Sequence, residues 1–413
     1  MYFNQRGITS RLRRLLKKNS ALPPDVGWFE EKGSLPRAIV QVSPGVQPNG
    51  VFVNYGDQLM FWALQEALTS QKYEVLYLPR TAFAPRKLKR QRADIFIDLG
   101  GFIYSGSHHR GMKSIEAANV TQQNAQACKR AGAFVTSAPQ TYGPFSGRRN
   151  GPLAKGIGRM INKFDTMYVR DPASLAHLCE VNPDVKNKAQ IAPDIAFLYR
   201  SDAASGRALL KQAGLDTESG RPIAGIIPNR QISQRSSTYL KDMKRVIGFL
   251  KTGGAQVVLI PHERGRKGVN EKDDRYLCRI LAEESGVTSL ASEKPAAYPS
   301  AKEEYRYIRG IEDVIGALDF LVSGRFHGAL RGLAEAVPTV AFSWAHKYPP
   351  LFSDLTLPPD EFIIRSSGHT LETLAAAWQG RSGTKEVLER TVPDIRNRAR
   401  RFVDEIIALA NHR

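Results

Sequence analysis

The chain has 413 residues, 42% hydrophobic and 24% charged, the proportions of a packed globular protein with room for two ordinary domains. Its 59 Lys and Arg against 40 Asp and Glu leave a formal charge of +19, which points to an anionic partner (phosphate, nucleic acid or an acidic membrane) without choosing among them. No apolar run approaches the roughly 20 residues that span a bilayer, and the opening MYFNQRGITSRLRRLLKKNS carries neither the apolar segment nor the cleavage site of a secretory signal. Cys128, Cys179 and Cys278, far apart and without a CxxC pair, argue against a disulfide framework or a zinc knuckle and for a soluble protein of a reducing compartment.

The first twenty residues carry Arg6, Arg11, Arg13, Arg14, Lys17 and Lys18 and no acid, with Ile8, Leu12, Leu15 and Leu16 at helical spacing. Two readings stand: an amphipathic helix on anionic lipid, or a terminal helix packed on its own domain. Residues 1–36 thus form a basic segment and a Pro- and Gly-rich linker. From residue 37 short apolar runs alternate with amphipathic stretches. Strands are predicted at Ala38–Val42, Tyr73–Leu78, Asp94–Leu99, Ala133–Ser137 and Thr166–Val169, and helices at Asp57–Thr69, Ile115–Ala131, Leu153–Phe164 and Pro172–Glu180. Residues 183–222 read as a mixed, polar crossing. The alternation resumes with strands at Ile223–Ile227, Gln256–Ile260, Asp319–Val322, Thr339–Phe342 and Phe362–Ile364, and helices at Thr238–Lys251, Glu271–Glu284, Glu304–Leu318 and His327–Ala336. A polar-faced helix, Glu386–Leu409, closes the chain. The pattern predicts an α/β protein of two Rossmann-like, doubly wound domains facing across a cleft, residues 37–200 and 201–384, followed by a C-terminal helix over 385–413.

Ligands of open parallel sheets sit beyond the carboxyl ends of the strands, so the polar residues there are the candidates. They are Asn54-Tyr55-Gly56-Asp57, Gly100-Gly101, the run PQTYGP from Pro139, Arg170-Asp171, Pro228-Asn229-Arg230, Pro261-His262-Glu263, Ser323-Gly324-Arg325-Phe326-His327 and His346-Lys347. In LDFLVSGRFHGALRGLAEAVPTVAFSWAHK, Arg325 and His327 lie at the amino end of a helix whose N–H groups and dipole suit phosphate. Arg325 can grip phosphate or carboxylate, Gly328 lets backbone approach a ligand, and His suits proton donation near neutral pH. The alternative is an Arg and a His that merely finish a turn. His262 is read both ways too, as lining the site or as an ordinary loop histidine. Asp171 before Pro172 reads first as a helix cap, and Gly100 as a tight turn. The basic run Arg86, Lys87, Lys89, Arg90, Arg92 lacks interleaved aromatics and a reading helix, so no nucleic acid is expected. Nothing in the sequence specifies an oligomeric state.

SGRFHGALRGLAEAVPTVAFSWAHK resembles the signature of the polysaccharide pyruvyl transferase family, a Ser-x-Arg-x-His turn, a helix, a Pro, a strand and a Lys. NYGDQ, DIFIDLGGFIY, PQTYGPF, YVRD, PDIAF, IIPNR and LIPHE resemble further family blocks in order, from about residue 50 to residue 350. The pair His108-His109 has no place in that pattern. The resemblance implies a GT-B-like fold, phosphoenolpyruvate as donor rather than a cofactor, and as acceptor a surface glycan or its polyprenyl-linked precursor. The product is then a pyruvate ketal bridging two sugar hydroxyls, with phosphate released by a cytoplasmic or membrane-peripheral enzyme.

On that footing a small donor of about three negative charges needs clustered cations, and Arg170, Arg325 and Lys347 supply them. His327 is the candidate general acid for the donor's methylene carbon, with Arg325 beside it. Asp57, Asp171 and Asp194 are unranked candidates to take a hydroxyl proton. Gly56, Gly101, Asn229, Arg230, His262, Ser323 and Gly328 complete the expected substrate contacts, and no metal is required. Two competing readings are a GT-B glycosyltransferase using a nucleotide sugar and a non-catalytic basic binding protein of a glycan-assembly complex.

Overall fold

Runs of Val, Ile, Leu and Phe flanked by Gly, Pro and Asp make strands buried on both faces, as a parallel sheet with helical cover requires. The structure, a computed structural model, describes residues 34–42, 54–80, 88–89, 91–106, 112–145, 151–265, 273–291, 301–343, 345–365 and 367–412. The basic residues 1–20, most of the linker, Arg86, Lys87, Arg90 and the pair His108-His109 lie outside the described residues. The chain divides into two compact units, the first comprising residues up to 52, 61–195 and 400–413, the second 53–60 and 196–399.

The first unit is built on strands β1 (Arg37–Val42), β2 (Glu74–Pro79), β3 (Ile95–Asp98) and β4 (Phe134–Ser137), parallel throughout and ordered β2-β1-β3-β4. Strand β5 (Met167–Val169) pairs in parallel with β6 (Ala189–Ile191), and single bridges Thr136–Thr166 and Gln140–Val169 set β5 beside β4. The helices are α1 (Tyr55–Ser70), α2 (Met112–Arg130), α3 (Gly151–Ile161) and α4 (Pro172–Val181). Phe96, Val135, Leu153, Ile157, Met160 and Phe164 fill the core. Asp171 caps α4 by accepting from the Ser174 N–H, with Pro172 in the first turn, as the Asp-Pro pair predicts.

The second unit has six parallel strands, β7 (Ile223–Ile227), β8 (Gln256–Leu259), β9 (Thr288–Ser289), β10 (Phe320–Ser323), β11 (Thr339–Phe342) and β12 (Ile363–Ile364). Their order, β12-β11-β10-β7-β8-β9, is the 3-2-1-4-5-6 arrangement of a Rossmann sheet, with its switch point between β7 and β10. Helices α5 (Ala203–Gln212), α6 (Arg230–Ser233), α7 (Tyr239–Thr252), α8 (Asp274–Ser285), α9 (Ala301–Gly316), α10 (Phe326–Ala334), α11 (Tyr348–Ser353), α12 (Pro359–Phe362) and α13 (Thr370–Gln379) join or flank the strands. The final helix, α14 (Arg381–Asn411), passes from the second unit into the first at residue 400.

The polar stretch 183–222 is more ordered than a simple crossing. It holds β6, 3-10 turns at Pro183–Asn187 and Ile195–Leu198, and α5, whose Asp202 side chain accepts from the Ala204 and Ser205 N–H groups. A fully buried arginine on α10 fixes residues 196–201 near its middle. Arg331 donates from Nε to Glu312 Oε2 at 3.0 Å, from Nη1 to the carbonyls of Ala196 at 3.2 Å and Tyr199 at 3.0 Å, and from Nη2 to Ser201 Oγ at 2.9 Å. The other Glu312 oxygen meets His262 Nε2 at 3.1 Å. Removing one partner of such a pair leaves a buried charge alone. Arg331→Met is therefore expected to lower the unfolding free energy by about 3–5 kcal/mol in urea denaturation, with partial recovery when Glu312→Gln is added. A loss below about 1 kcal/mol, the scale of a surface pair, would show that Arg331 is not the anchor described.

Candidate active site

The switch point brings together sequence blocks that lie far apart. Asn229, after β7, caps α6 through its Oδ1, which accepts from the Gln231 N–H at 2.8 Å, while its Nδ2 donates to the Gly324 carbonyl at 2.7 Å. The two loops flanking the switch point are thus tied by one buried amide. Ser323 shapes the turn after β10: its Oγ donates to the Arg325 carbonyl at 2.8 Å and accepts from the Arg325 N–H at 3.1 Å. Helix α10 then begins with Arg325 at the cap position and no capping side chain, whereas Asp171, Asp202, Asn229 and Asp273 cap their own helices.

Arg325 is held by carboxylates. Its Nε and Nη2 donate to the two oxygens of Asp274 at 2.9 and 2.6 Å, and its Nη1 pairs with Glu263. Asp274 also accepts the Arg230 N–H at 3.0 Å, and Glu263 accepts from Gln231 Nε2 at 3.2 Å. Burial alone would lower the Arg325 pKa, but the charges of Asp274 and Glu263 raise it, so the guanidinium stays charged. Burial pushes the Asp274 carboxyl above its usual 3.8, against the pull of Arg325. The Arg325 guanidinium is thus engaged in shaping the start of α10.

His327 sits one residue into α10 and is 8% exposed. The turn Asn54-Tyr55-Gly56-Asp57 lies against it in the same unit, and a Cβ built on Gly56 would overlap the imidazole at Nδ1, Cγ and Cβ. The turn is secured by Asn54 Oδ1, which accepts from the Gly56 N–H at 2.9 Å, and by a bridge between Asn54 and Glu263. Gly56 thus touches the predicted proton donor, and half-buried Asp57 follows it in the first turn of α1. Lys347 places its Nζ 4.7 Å from the centroid of Phe326, a cation-π contact at the opening of α10. Arg230 lays its guanidinium over Tyr276, 4.6 Å from the ring centroid.

Two expected ligand contacts are framework. Gly328 does not open backbone to a ligand, because a Cβ there would come within 2.7 Å of both Ile227 Cδ1 and Ser323 Oγ; its role is to let α10 pack on β7 and β10. His262 is 1% exposed, engaged with Glu312, and its carbonyl accepts the Tyr55 N–H at 3.4 Å. Arg170 and Gly101 meet inside the first unit. Arg170 Nη2 donates to the Gly101 carbonyl at 3.1 Å and to Thr141 Oγ1 at 2.7 Å, and Nη1 pairs with Asp194. That pairing, with the capping role of Asp171, engages two of the three carboxylates considered as bases.

Sequence reasoning passed over Asp274, Arg331 and the buried Arg80, Asp98 and Tyr104, which form one group with Gln140 of the PQTYGP run. In that group Asp98 pairs with Arg80 and accepts from Tyr104 Oη at 3.0 Å and Gln140 Nε2 at 3.0 Å. Asp98 lies inside the predicted strand Asp94–Leu99 and Asp274 inside the predicted helix Glu271–Glu284, the only local signals either gave. Among the described residues no group of three or more His, Cys, Asp or Glu could hold a metal ion, and no helix is long and apolar enough to cross a membrane.

The fold is α/β with two Rossmann-like domains, resembling the GT-B fold. The S. aureus MnaA-UDP co-structure matches with a TM-score of 0.53 at 8% identity, covering 91% of this chain and 97% of that one. The α,α-trehalose 6-phosphate synthase of Burkholderia multivorans matches with 0.53 at 11% identity, covering 92% and 98%. A putative UDP-N-acetylglucosamine 2-epimerase of Listeria monocytogenes matches with 0.51 at 8% identity, covering 89% and 94%. No curated protein sequence matches the chain. The polysaccharide pyruvyl transferase family model matches residues 54–346, more than half of the chain, and the protein belongs to that family. It is therefore a transferase, as the Ser-x-Arg-x-His turn and its companion blocks predict.

Replacing Arg325 by Met leaves Asp274 and Glu263 buried without their cation, a loss of about 3–5 kcal/mol at pH 7. A carboxyl whose folded pKa lies above its unfolded value costs stability at neutral pH, and the cost fades as pH falls through the folded pKa towards 3.8. Without Arg325 the Asp274 pKa rises further, so the deficit of Arg325→Met against wild type should narrow between pH 7 and about pH 5 in parallel urea titrations. A deficit that is flat or widens on acidification contradicts the charge-pair account.

Proposed function

We propose that the protein transfers the pyruvyl group of phosphoenolpyruvate to two hydroxyls of one sugar in a surface glycan or its polyprenyl-linked precursor. The observation that carries this reading is the contact of the His327 ring with Gly56 at the amino end of α10, beside the switch point of the second unit's sheet. The phosphate is drawn to the helix N-terminus and to Lys347. His327, protonated, gives its proton to the donor's methylene carbon, and the first sugar hydroxyl bonds to the adjacent carbon. Asp57, the carboxylate next to Gly56, takes that hydroxyl's proton. The carbon–oxygen bond to phosphate then breaks and the second hydroxyl closes the ketal, its proton leaving with phosphate. Arg325 acts by holding the first turn of α10 in place. The reaction belongs at the cytoplasmic side, where the basic residues 1–20 would meet anionic lipid.

Phosphoenolpyruvate, mixed with the protein and galactose-, glucose- or mannosamine-type glycans, should yield free phosphate and a glycan heavier by one pyruvate less one water. Phosphoenolpyruvate, and not UDP, should raise the melting temperature. His327→Asn is expected to lower kcat by about 10²–10⁴. Gly56→Ala should approach the same loss by displacing the ring, and should also lower the melting temperature, because the added Cβ overlaps His327. Turnover within a factor of two of wild type in either variant removes His327 from the reaction, and absence of both phosphate release and the thermal shift removes the donor assignment.

A further inference from the structure

Resting on the pyruvyl transfer reading, we propose that Tyr276 and Arg230 form the acceptor platform, with one face of a pyranose ring stacked on Tyr276 and the Arg230 guanidinium hydrogen-bonded to its hydroxyls. Among the described residues the exposed large apolar side chains are Leu35, Ile191, Tyr276, Leu371 and Leu409, and Tyr276, 40% exposed, is the sole aromatic. It lies in the first turn of α8, two residues after the Asp274 that grips Arg325. Arg230 connects the two, since its N–H donates to Asp274 and its guanidinium lies over the Tyr276 ring. The path from Arg325 to the exposed ring is therefore one carboxylate and one arginine long.

The chemistry of the pair suits a saccharide. A pyranose has an apolar face of C–H bonds that packs on an aromatic ring, and a rim of hydroxyls that needs donors and acceptors. Arg230 covers part of the Tyr276 ring, leaving the exposed part to a ligand. The Arg230 Nε is buried and has no hydrogen-bond partner among the described residues, so that atom does not tie the guanidinium to a protein acceptor. A residue serving only to bury Arg230 would not need to keep two-fifths of its surface in water. The pair is joined through Asp274 to Arg325, which holds the first turn of the helix that carries His327.

The test uses the full chain with phosphoenolpyruvate present and three probes: methyl β-galactopyranoside, methyl β-glucopyranoside and the methyl glycoside of N-acetylmannosamine. Saturation-transfer NMR should detect at least one probe on the wild type and on Tyr276→Phe, which keeps the ring, with the signal reduced at least fivefold in Tyr276→Ala. The thermal shift with phosphoenolpyruvate should be the same in Tyr276→Ala as in wild type, and with a glycan acceptor the variant should raise the acceptor KM at least tenfold. An undiminished signal in Tyr276→Ala overturns the proposal, as does a thermal shift with phosphoenolpyruvate in a wild type that binds none of the probes. Loss of the phosphoenolpyruvate shift in the wild type overturns the donor reading instead. A probe signal that still depends on Tyr276 would in that case uphold the sugar platform alone.

Discussion

The arrangement at the switch point depends on one buried ion-pair group, the Arg325 guanidinium held between Asp274 and Glu263. Each carboxylate is itself fixed by a group from the β7 loop, Asp274 by the Arg230 N–H and Glu263 by Gln231. The Glu263 backbone also bridges to Asn54, so the residue that carries this carboxylate meets the turn that carries Gly56. Charges taken out of water are costly unless paired and hydrogen-bonded, so the group tolerates few geometries. Its main product is orientation: helix α10 starts at a defined place, and His327 faces Gly56. An aliphatic core at this position would pack as well but would not tie four loops to one point.

That pairing changes what the charge of +19 means. A cation at nearly every strand end reads as a site of strong positive potential. In the folded chain the buried strand-end arginines are matched within their own units: Arg80 by Asp98, Arg170 by Asp194, Arg264 by Glu304 and Arg325 by two carboxylates. The positive excess therefore resides on other side chains, many of them exposed, such as Lys155 and Arg159 on α3. Around α10 the attraction for an anion rests on less: the helix N-terminus, His327 and Lys347.

The alternation of strands and helices was legible because a buried parallel strand is a continuous apolar run, and β7, IAGII, is such a run. Strands β6 and β9 escaped notice for the opposite reason. Gln190 and Ile191 are exposed, and Thr288–Ser289 is polar and two residues long, so neither carries a buried pattern. Helix α5 has a mostly polar face, and only its Asp202 cap marks it. For the site, the motif turn was legible because Arg, His and Gly cluster within six residues. The partners Asp274 and Glu312 were not. A carboxylate on a helix reads as solvated surface or a favourable dipole contact, and only the fold brings it to an arginine about 50 or 20 residues away.

The glycines show the same limit from the other side. Gly56 and Gly328 look alike in sequence, each beside a polar residue at the end of a strand. In the fold they differ in kind. The space a Cβ would take at Gly328 is filled by Ile227 and Ser323, atoms of the two strands flanking the switch point, so that glycine serves packing. At Gly56 the space is filled by the imidazole of His327, so that glycine sets the distance between the NYGD turn and the one side chain here whose unperturbed pKa lies near neutral. A larger residue at either place would strain the molecule, but at Gly56 the strain falls on the imidazole of His327. The functional weight of a glycine is thus decided by what occupies its missing side chain's volume, and that is a property of the fold.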